Sequence, residues 1–170
     1  MAITSRVVLV VFILLVASSM KARAVEYQLP DLQGEIQSLN QYQGKWVVVN
    51  YWATWCRSCI KELPDLAELH EENKGSNIVV VGINYETISN ERLKGFVDAY
   101  EIPYPIWRSA ELLVTPLGNV PALPTTYIID PEGNAIAGEV GVMSKQALKD
   151  YIAKQMTLEK YSKYNIKQNS

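Results

Sequence analysis

Cysteine is scarce in this sequence: its 170 residues hold only two, Cys56 and Cys59. Two thiols cannot staple a disulfide-dependent mini-protein, and they cannot fill a four-cysteine zinc site. Nor is basic charge in excess, since 16 Lys and Arg stand against 18 Asp and Glu. That balance gives no broad positive field for a phosphate backbone, so nucleic acid is not an expected partner. The longest apolar run, Val7 to Ala17, has 11 residues and falls short of the roughly 20 that span a bilayer as a helix. Glycine and proline, at 9 and 8, are too few for a collagen-like or low-complexity chain. Internal repeats and Gly/Ser-rich linkers are lacking too, which leaves the expectation of one globular α/β domain with appendages.

The N-terminus differs from the rest. Arg6 leads into the apolar run, Ser18-Ser19 end it, and Ala22-Arg23-Ala24 follow. This order reads as a secretory signal peptide over residues 1–24 with cleavage after Ala24. An uncleaved N-terminal membrane anchor is the alternative. The expected domain covers residues 25–156, and residues 157–170 form a polar helical extension or tail. From 145 to 170 there are six lysines and two acids, a locally basic segment that reads as a solvated helix face or a weak contact for acidic partners.

Tyr27 to Leu29 and Glu35 to Leu39 flank a Pro-Asp-Leu-Gln-Gly turn and predict a short N-terminal hairpin. Trp46 to Trp52 is β-branched and aromatic without alternation, as in a strand covered on both faces. A helix follows from Cys56 to Asn73, its inward face carrying Cys59, Ile60, Leu63, Leu66, Ala67 and Leu69, with Pro64 inside it. A second buried strand over Ile78 to Asn84 gives a parallel βαβ unit. Next comes a helix around Asn90 to Tyr100, with Leu93, Phe96, Val97 and Tyr100 on one face. Ile106-Trp107 reads as a short strand, and Ser109 as the cap of a helical turn through Leu117. Tyr127 to Ile129 and Ala135 to Val140 flank Asp130-Pro131-Glu132-Gly133, an antiparallel hairpin with a type I turn sequence. Ser144 caps a last helix whose Leu148, Tyr151 and Ile152 face the sheet.

The two cysteines sit where a buried strand gives way to a helix. At a helix N-terminus the unpaired N–H groups and the dipole favour the Cys56 thiolate, and Arg57 adds positive charge. Cys59, on the inward face, is placed to resolve a mixed disulfide. An inert structural disulfide closing so short a loop would contribute little stability. A metal site is the other alternative, but two thiolates make half a tetrahedral shell and His70 lies about three turns along the helix. Redox chemistry explains the spacing best, and His70 reads as a surface residue among Glu68, Glu71 and Glu72. Glu86, just past the second buried strand, lies near the sheet end that faces the cysteines and is the candidate to assist deprotonation of Cys59. Trp55 and Trp52 offer apolar contact surface for a partner, with Trp52 equally suited to the core.

Val47 to Pro64, centred on Asn50-Tyr51-Trp52-Ala53-Thr54-Trp55-Cys56-Arg57-Ser58-Cys59, resembles the active-site segment of secreted TlpA/ResA-type thioredoxin-fold proteins. Leu123-Pro124-Thr125-Thr126-Tyr127-Ile128-Ile129-Asp130 resembles their second hallmark. The resemblance covers about residues 26–153 and implies a thioredoxin-like fold, a central mixed β-sheet flanked by helices. It also implies that Pro124 is a cis-proline facing the disulfide and that Leu123 offers its backbone to an extended substrate segment. These proteins place an acidic residue in the region of Glu86, although the spacing here matches imperfectly. Cytosolic thioredoxins carry a buried aspartate six residues before the first cysteine; this chain has Asn50, which exchanges no proton at neutral pH.

The expected function is that of an extracytoplasmic, periplasmic thiol–disulfide oxidoreductase working in the reducing direction. It needs no bound cofactor beyond the Cys56–Cys59 pair and no metal. Disulfide-containing exported proteins are its expected partners, and the resemblance adds a membrane thiol reductase as electron donor and apocytochrome c as a candidate substrate. A disulfide-forming oxidase is the alternative within the same chemistry, and a non-enzymatic copper or substrate carrier the alternative outside it. A peroxide-reducing relative is disfavoured, because neither cysteine has a threonine three residues before it.

Overall fold

The computed structural model describes residues 24–109 and 114–168. The predicted signal segment lies, apart from Ala24, outside the described residues. The strands are β1 (Gln28–Pro30), β2 (Ile36–Ser38), β3 (Trp46–Trp52), β4 (Ile78–Tyr85), β5 (Ile106–Ser109), β6 (Val114–Thr115), β7 (Gly118–Asn119), β8 (Thr125–Ile129) and β9 (Ala135–Val140). The helices are α1 (Arg57–Glu72), α2 (Asn90–Ala99) and α3 (Lys145–Gln168).

Five strands form one sheet in the order β5-β4-β3-β8-β9. β4 runs parallel to β3 and to β5, while β8 runs antiparallel to both β3 and β9. The sheet is therefore mixed, with β3 at its centre, as the unbroken burial of Trp46–Trp52 requires. β1 and β2 pair as the expected hairpin, with Leu29 opposite Gln37. In the turn between β8 and β9, Gly133 N–H donates to Asp130 C=O at 2.9 Å, and Gly133 takes φ 90°, a value open to glycine.

Alternate residues of β3 face two different cores. Val48 and Trp52 join Val80, Leu63, Leu66, Leu69, Leu93, Leu148 and Ile152 beneath the three helices. Val47, Val49 and Tyr51 join Val81, Ile83, Tyr85 and Trp107 on the opposite face. Ser144 Oγ accepts from Ala147 N–H and caps α3 as expected. Leu148 and Ile152 are buried and Tyr151 packs against the same core. Two lysines of the basic C-terminal segment are paired with acids of α1: Lys145 with Glu68 and Glu72, and Lys149 with Glu72.

Three local expectations need correction. Ser109 ends strand β5, and Val114–Asn119 form a small antiparallel hairpin, not a helical turn; residues 110–113 lie outside the described residues. The hairpin is held by Thr115, whose hydroxyl bonds Gly118 C=O and the Tyr51 hydroxyl, contacts invisible to local periodicity. Tyr100 caps the end of α2 and is 48% exposed, its ring stacked on Phe96 at the helix edge. His70 is half-buried, its ring 6.1 Å from that of Tyr104, so it belongs to the core margin and not to the acidic surface.

Gly82 lies opposite Asn50 in the β3–β4 ladder. A Cβ there would stand 2.7 Å from Ile106 Cδ1 and 3.0 Å from both Trp52 Nε1 and Tyr104 Cε2. Gly82→Ala is expected to destabilise the fold by about 1–3 kcal/mol through overpacking, read as a lower denaturant midpoint with an unchanged slope.

Candidate active site

Cys56 and Cys59 form a disulfide at the start of α1, with their Cα atoms 5.2 Å apart. Cys56 is the N-cap, and its Sγ accepts from the backbone N–H of Cys59 at 3.2 Å. The donor that meets the disulfide sulfur is thus already in place for a thiolate, and the helix dipole acts in the same sense. Burial separates the two sulfurs: Cys56 is 5% exposed and Cys59 fully buried. Beside them, Trp55 stands out at 64% exposed, whereas Trp52 is enclosed in the core.

The second hallmark comes to the same place. The Leu123–Pro124 peptide bond is cis. Ser58 Oγ lies 3.3 Å from Cys56 Sγ and donates to Leu123 C=O at 3.5 Å, so the loop before β8 abuts the first turn of α1. Pro124 C=O in turn accepts from Gly141 N–H, which ties the end of β9 to the same rim.

Glu86 is buried beyond β4, and its carboxylate is taken up by the loop that leads into α1. Oε1 accepts from Thr54 N–H at 2.7 Å and from Asn84 Nδ2 at 2.8 Å, and Oε2 accepts from Thr54 Oγ1. These bonds fix the backbone two residues ahead of Cys56.

A second carboxyl group, which sequence reasoning missed, lies on the helix that begins at the disulfide. Glu62 is fully buried on α1, three residues beyond Cys59 and on the same side of the helix. Its Oε1 accepts from Asn50 Nδ2 at 2.7 Å and its Oε2 from Met143 N–H at 3.0 Å. Asn50 passes its other amide proton to Thr126 Oγ1 at 3.1 Å. Burial outweighs these donors and pushes the Glu62 carboxyl up to about 7. A carboxyl near neutrality on α1, one turn beyond Cys59, suits proton transfer at physiological pH. The available signal was the inward stripe itself: positions 59, 62, 66 and 69 share one face, and an acid among them is either buried with partners or excluded. Among the described residues, no group of three or more His, Cys, Asp or Glu could hold a metal ion.

Residues 20–137 match the AhpC/TSA family. That match covers more than half of the sequence. The chain belongs to this family. Within it, the chain is 31% identical over 133 residues to the thiol-disulfide oxidoreductase ResA of Bacillus thuringiensis subsp. konkukian, covering 77% of this chain and 75% of that one. A DsbF homologue from Corynebacterium diphtheriae has a similar structure, with a TM-score of 0.70 and 32% identity over 81% of this chain and 88% of the other. A secreted thiol-disulfide isomerase from Corynebacterium glutamicum follows at a TM-score of 0.69 and 26% identity, over 75% and 81% of the two chains. This AhpC/TSA-family protein has the thioredoxin-like fold with the CxxC pair, and it is a thiol–disulfide oxidoreductase.

Proposed function

We propose that this oxidoreductase reduces disulfides in exported partner proteins outside the cytosol. The observation that carries the reading is the asymmetry of the pair: Cys56 still 5% exposed and with a backbone donor on its sulfur, Cys59 fully buried one turn from buried Glu62. The Cys56 thiolate attacks one sulfur of the partner's disulfide, the S–S bond breaks, and the departing sulfur leaves as a thiolate that takes a proton. Glu62 then accepts the Cys59 proton, Cys59 attacks Cys56 Sγ, and the second partner sulfur is released. The partner gains two electrons and two protons: both electrons come from the Cys56–Cys59 pair, one proton passes from Cys59 through Glu62 to the released sulfur, and the other comes from solvent, which took it when Cys56 became a thiolate. We assign the acid–base role to Glu62 and a positioning role to Glu86, whose oxygens hold Thr54 and Asn84.

Trp55 supplies apolar contact, and the Leu123–Pro124 segment beside Cys56 supplies backbone for an extended segment of the partner. No bound cofactor enters this cycle. Return to the reduced state calls for a membrane thiol reductase, and apocytochrome c is the candidate partner that the TlpA/ResA-type resemblance of the active-site segment suggests. Export is supported by the signal-like segment over residues 1–24 and by the secreted isomerase of similar structure. The reduction potential of the pair, equilibrated against dithiothreitol and read by tryptophan fluorescence, tests the direction. A value at or below roughly −250 mV is expected for a dedicated reductant, and one near roughly −120 mV would make the protein an oxidant instead.

A further inference from the structure

Between α1 and the sheet lies a group of buried polar atoms that the disulfide exchange leaves unused. Asn50 Oδ1, Trp52 Nε1 and Tyr104 Oη are each buried without a protein partner. The sheet register gathers them. Asn50 is opposite Gly82, and a Cβ on Gly82 would meet Trp52 Nε1 and the Tyr104 ring, each at 3.0 Å, so both side chains close over β4 beside Asn50. Glu62 approaches from the helix, bonded to Asn50 Nδ2, and its charge acts on the Tyr104 hydroxyl. On its other side Tyr104 lines a surface cavity of about 490 Å³ together with Val97, Pro103, Pro105 and Trp107.

The polar inventory has a definite imbalance. Two donors, the Trp52 N–H and the Tyr104 O–H, lack acceptors. Two acceptors retain lone pairs: Asn50 Oδ1, and the Glu62 carboxylate, each of whose oxygens takes one bond. A single water reaching all four groups would satisfy them, within the two to four partners that a buried water requires. We infer that Tyr104 is a positioning residue for the redox reaction: its hydroxyl, through a water shared with Trp52 Nε1 and Asn50 Oδ1, donates toward the Glu62 carboxylate and stabilises the ionised form. A bridging water transmits a hydrogen bond nearly as well as direct contact does. The inference rests on Glu62 as the acid–base group.

The other groups around Glu62 are accounted for. Asp65, on the same helix, opposes its ionisation, while Asn50 Nδ2 from β3 and Met143 N–H ahead of α3 favour it. From β8, Thr126 takes the remaining Asn50 amide proton. His70, against the Tyr104 ring, is held toward its neutral form by burial and by Lys74, with Glu71 opposing.

The test is Tyr104→Phe in the full chain, with the Glu62 carboxyl carbon titrated by NMR in the disulfide form. Its midpoint is expected to rise by about half a pH unit or more, a threefold change in ionisation constant. Trp52→Phe, which deletes the other donor to the same water, is expected to move it the same way and provides an independent readout. The pH profile of disulfide reduction should follow Tyr104→Phe upward and stay fixed when that change is made in a Glu62→Gln background. A lower melting temperature with a stationary Glu62 midpoint would reduce Tyr104 to a packing residue and overturn the inference. So would a shift of the activity profile that persists without Glu62. A moving NMR midpoint beside an unmoved activity profile would instead remove Glu62 from the chemistry while leaving its coupling to Tyr104 intact.

Discussion

Cys56→Ser is expected to lower disulfide-reductase turnover by at least about 10³-fold, since no other thiol is placed to open the partner's disulfide. Cys59→Ser should behave differently. The donor on Cys56 Sγ is the backbone N–H at position 59, which a side-chain change leaves in place. Cys56 therefore keeps its activation and attacks, but nothing resolves the product, and partners accumulate as mixed disulfides visible on a non-reducing gel. Retained turnover in Cys56→Ser would refute the division of labour between the two sulfurs. A Cys59→Ser protein that captured no partner disulfide would show that attack itself depends on the second thiol.

The second large effect concerns pH. Burial raises the Glu62 carboxyl to about 7 in the folded protein, against an ordinary value of 4.5. Between these values the folded chain holds a proton that the unfolded chain has lost. Glu62 therefore contributes stability that is fully present below 4.5 and is lost as pH rises through 7, a change of about 3 kcal/mol. The unfolding free energy, measured in urea from pH 4 to pH 8, should fall across that window. Glu62→Gln should flatten this part of the curve. The amide places an N–H opposite the Met143 or the Asn50 donor, so the variant should also be less stable at acid pH. A wild-type curve that rises from pH 5 to pH 8 would show that the two donors overcome desolvation and that Glu62 is ionised throughout.

Much of the site could be read directly from the sequence because its parts are local. A buried strand turning into a helix puts Cys56 at a cap whatever the rest of the chain does, and the segment around Pro124 carries its own signature. Glu62 escaped because the reading of α1 counted apolar residues and treated acids as solvated. What holds Glu62 inside is Asn50, 12 residues away, and Met143, 81 residues away, neither visible in a helical window. The segment 114–119 escaped for the same reason: its hairpin is fixed by Thr115 bonding Tyr51, 64 residues earlier. Glu86 was legible by position, but its bond to Thr54, 32 residues earlier, emerges only when β3 and β4 lie side by side.

The bonds around Glu62 also bear on the order in which the molecule assembles. The disulfide spans a sequence separation of 3 and needs only the first turn of α1. The links from Asn50 to Thr126 and from Glu62 to Met143 span 76 and 81 residues, so loop closure delays them until the chain's final third has joined the sheet. During synthesis the thiols are therefore complete long before the carboxyl that serves them is enclosed. A growing chain that emerges into an oxidising space can close its disulfide while Glu62 is still solvated, and the enzyme acquires its proton chemistry only with its last strands and helix.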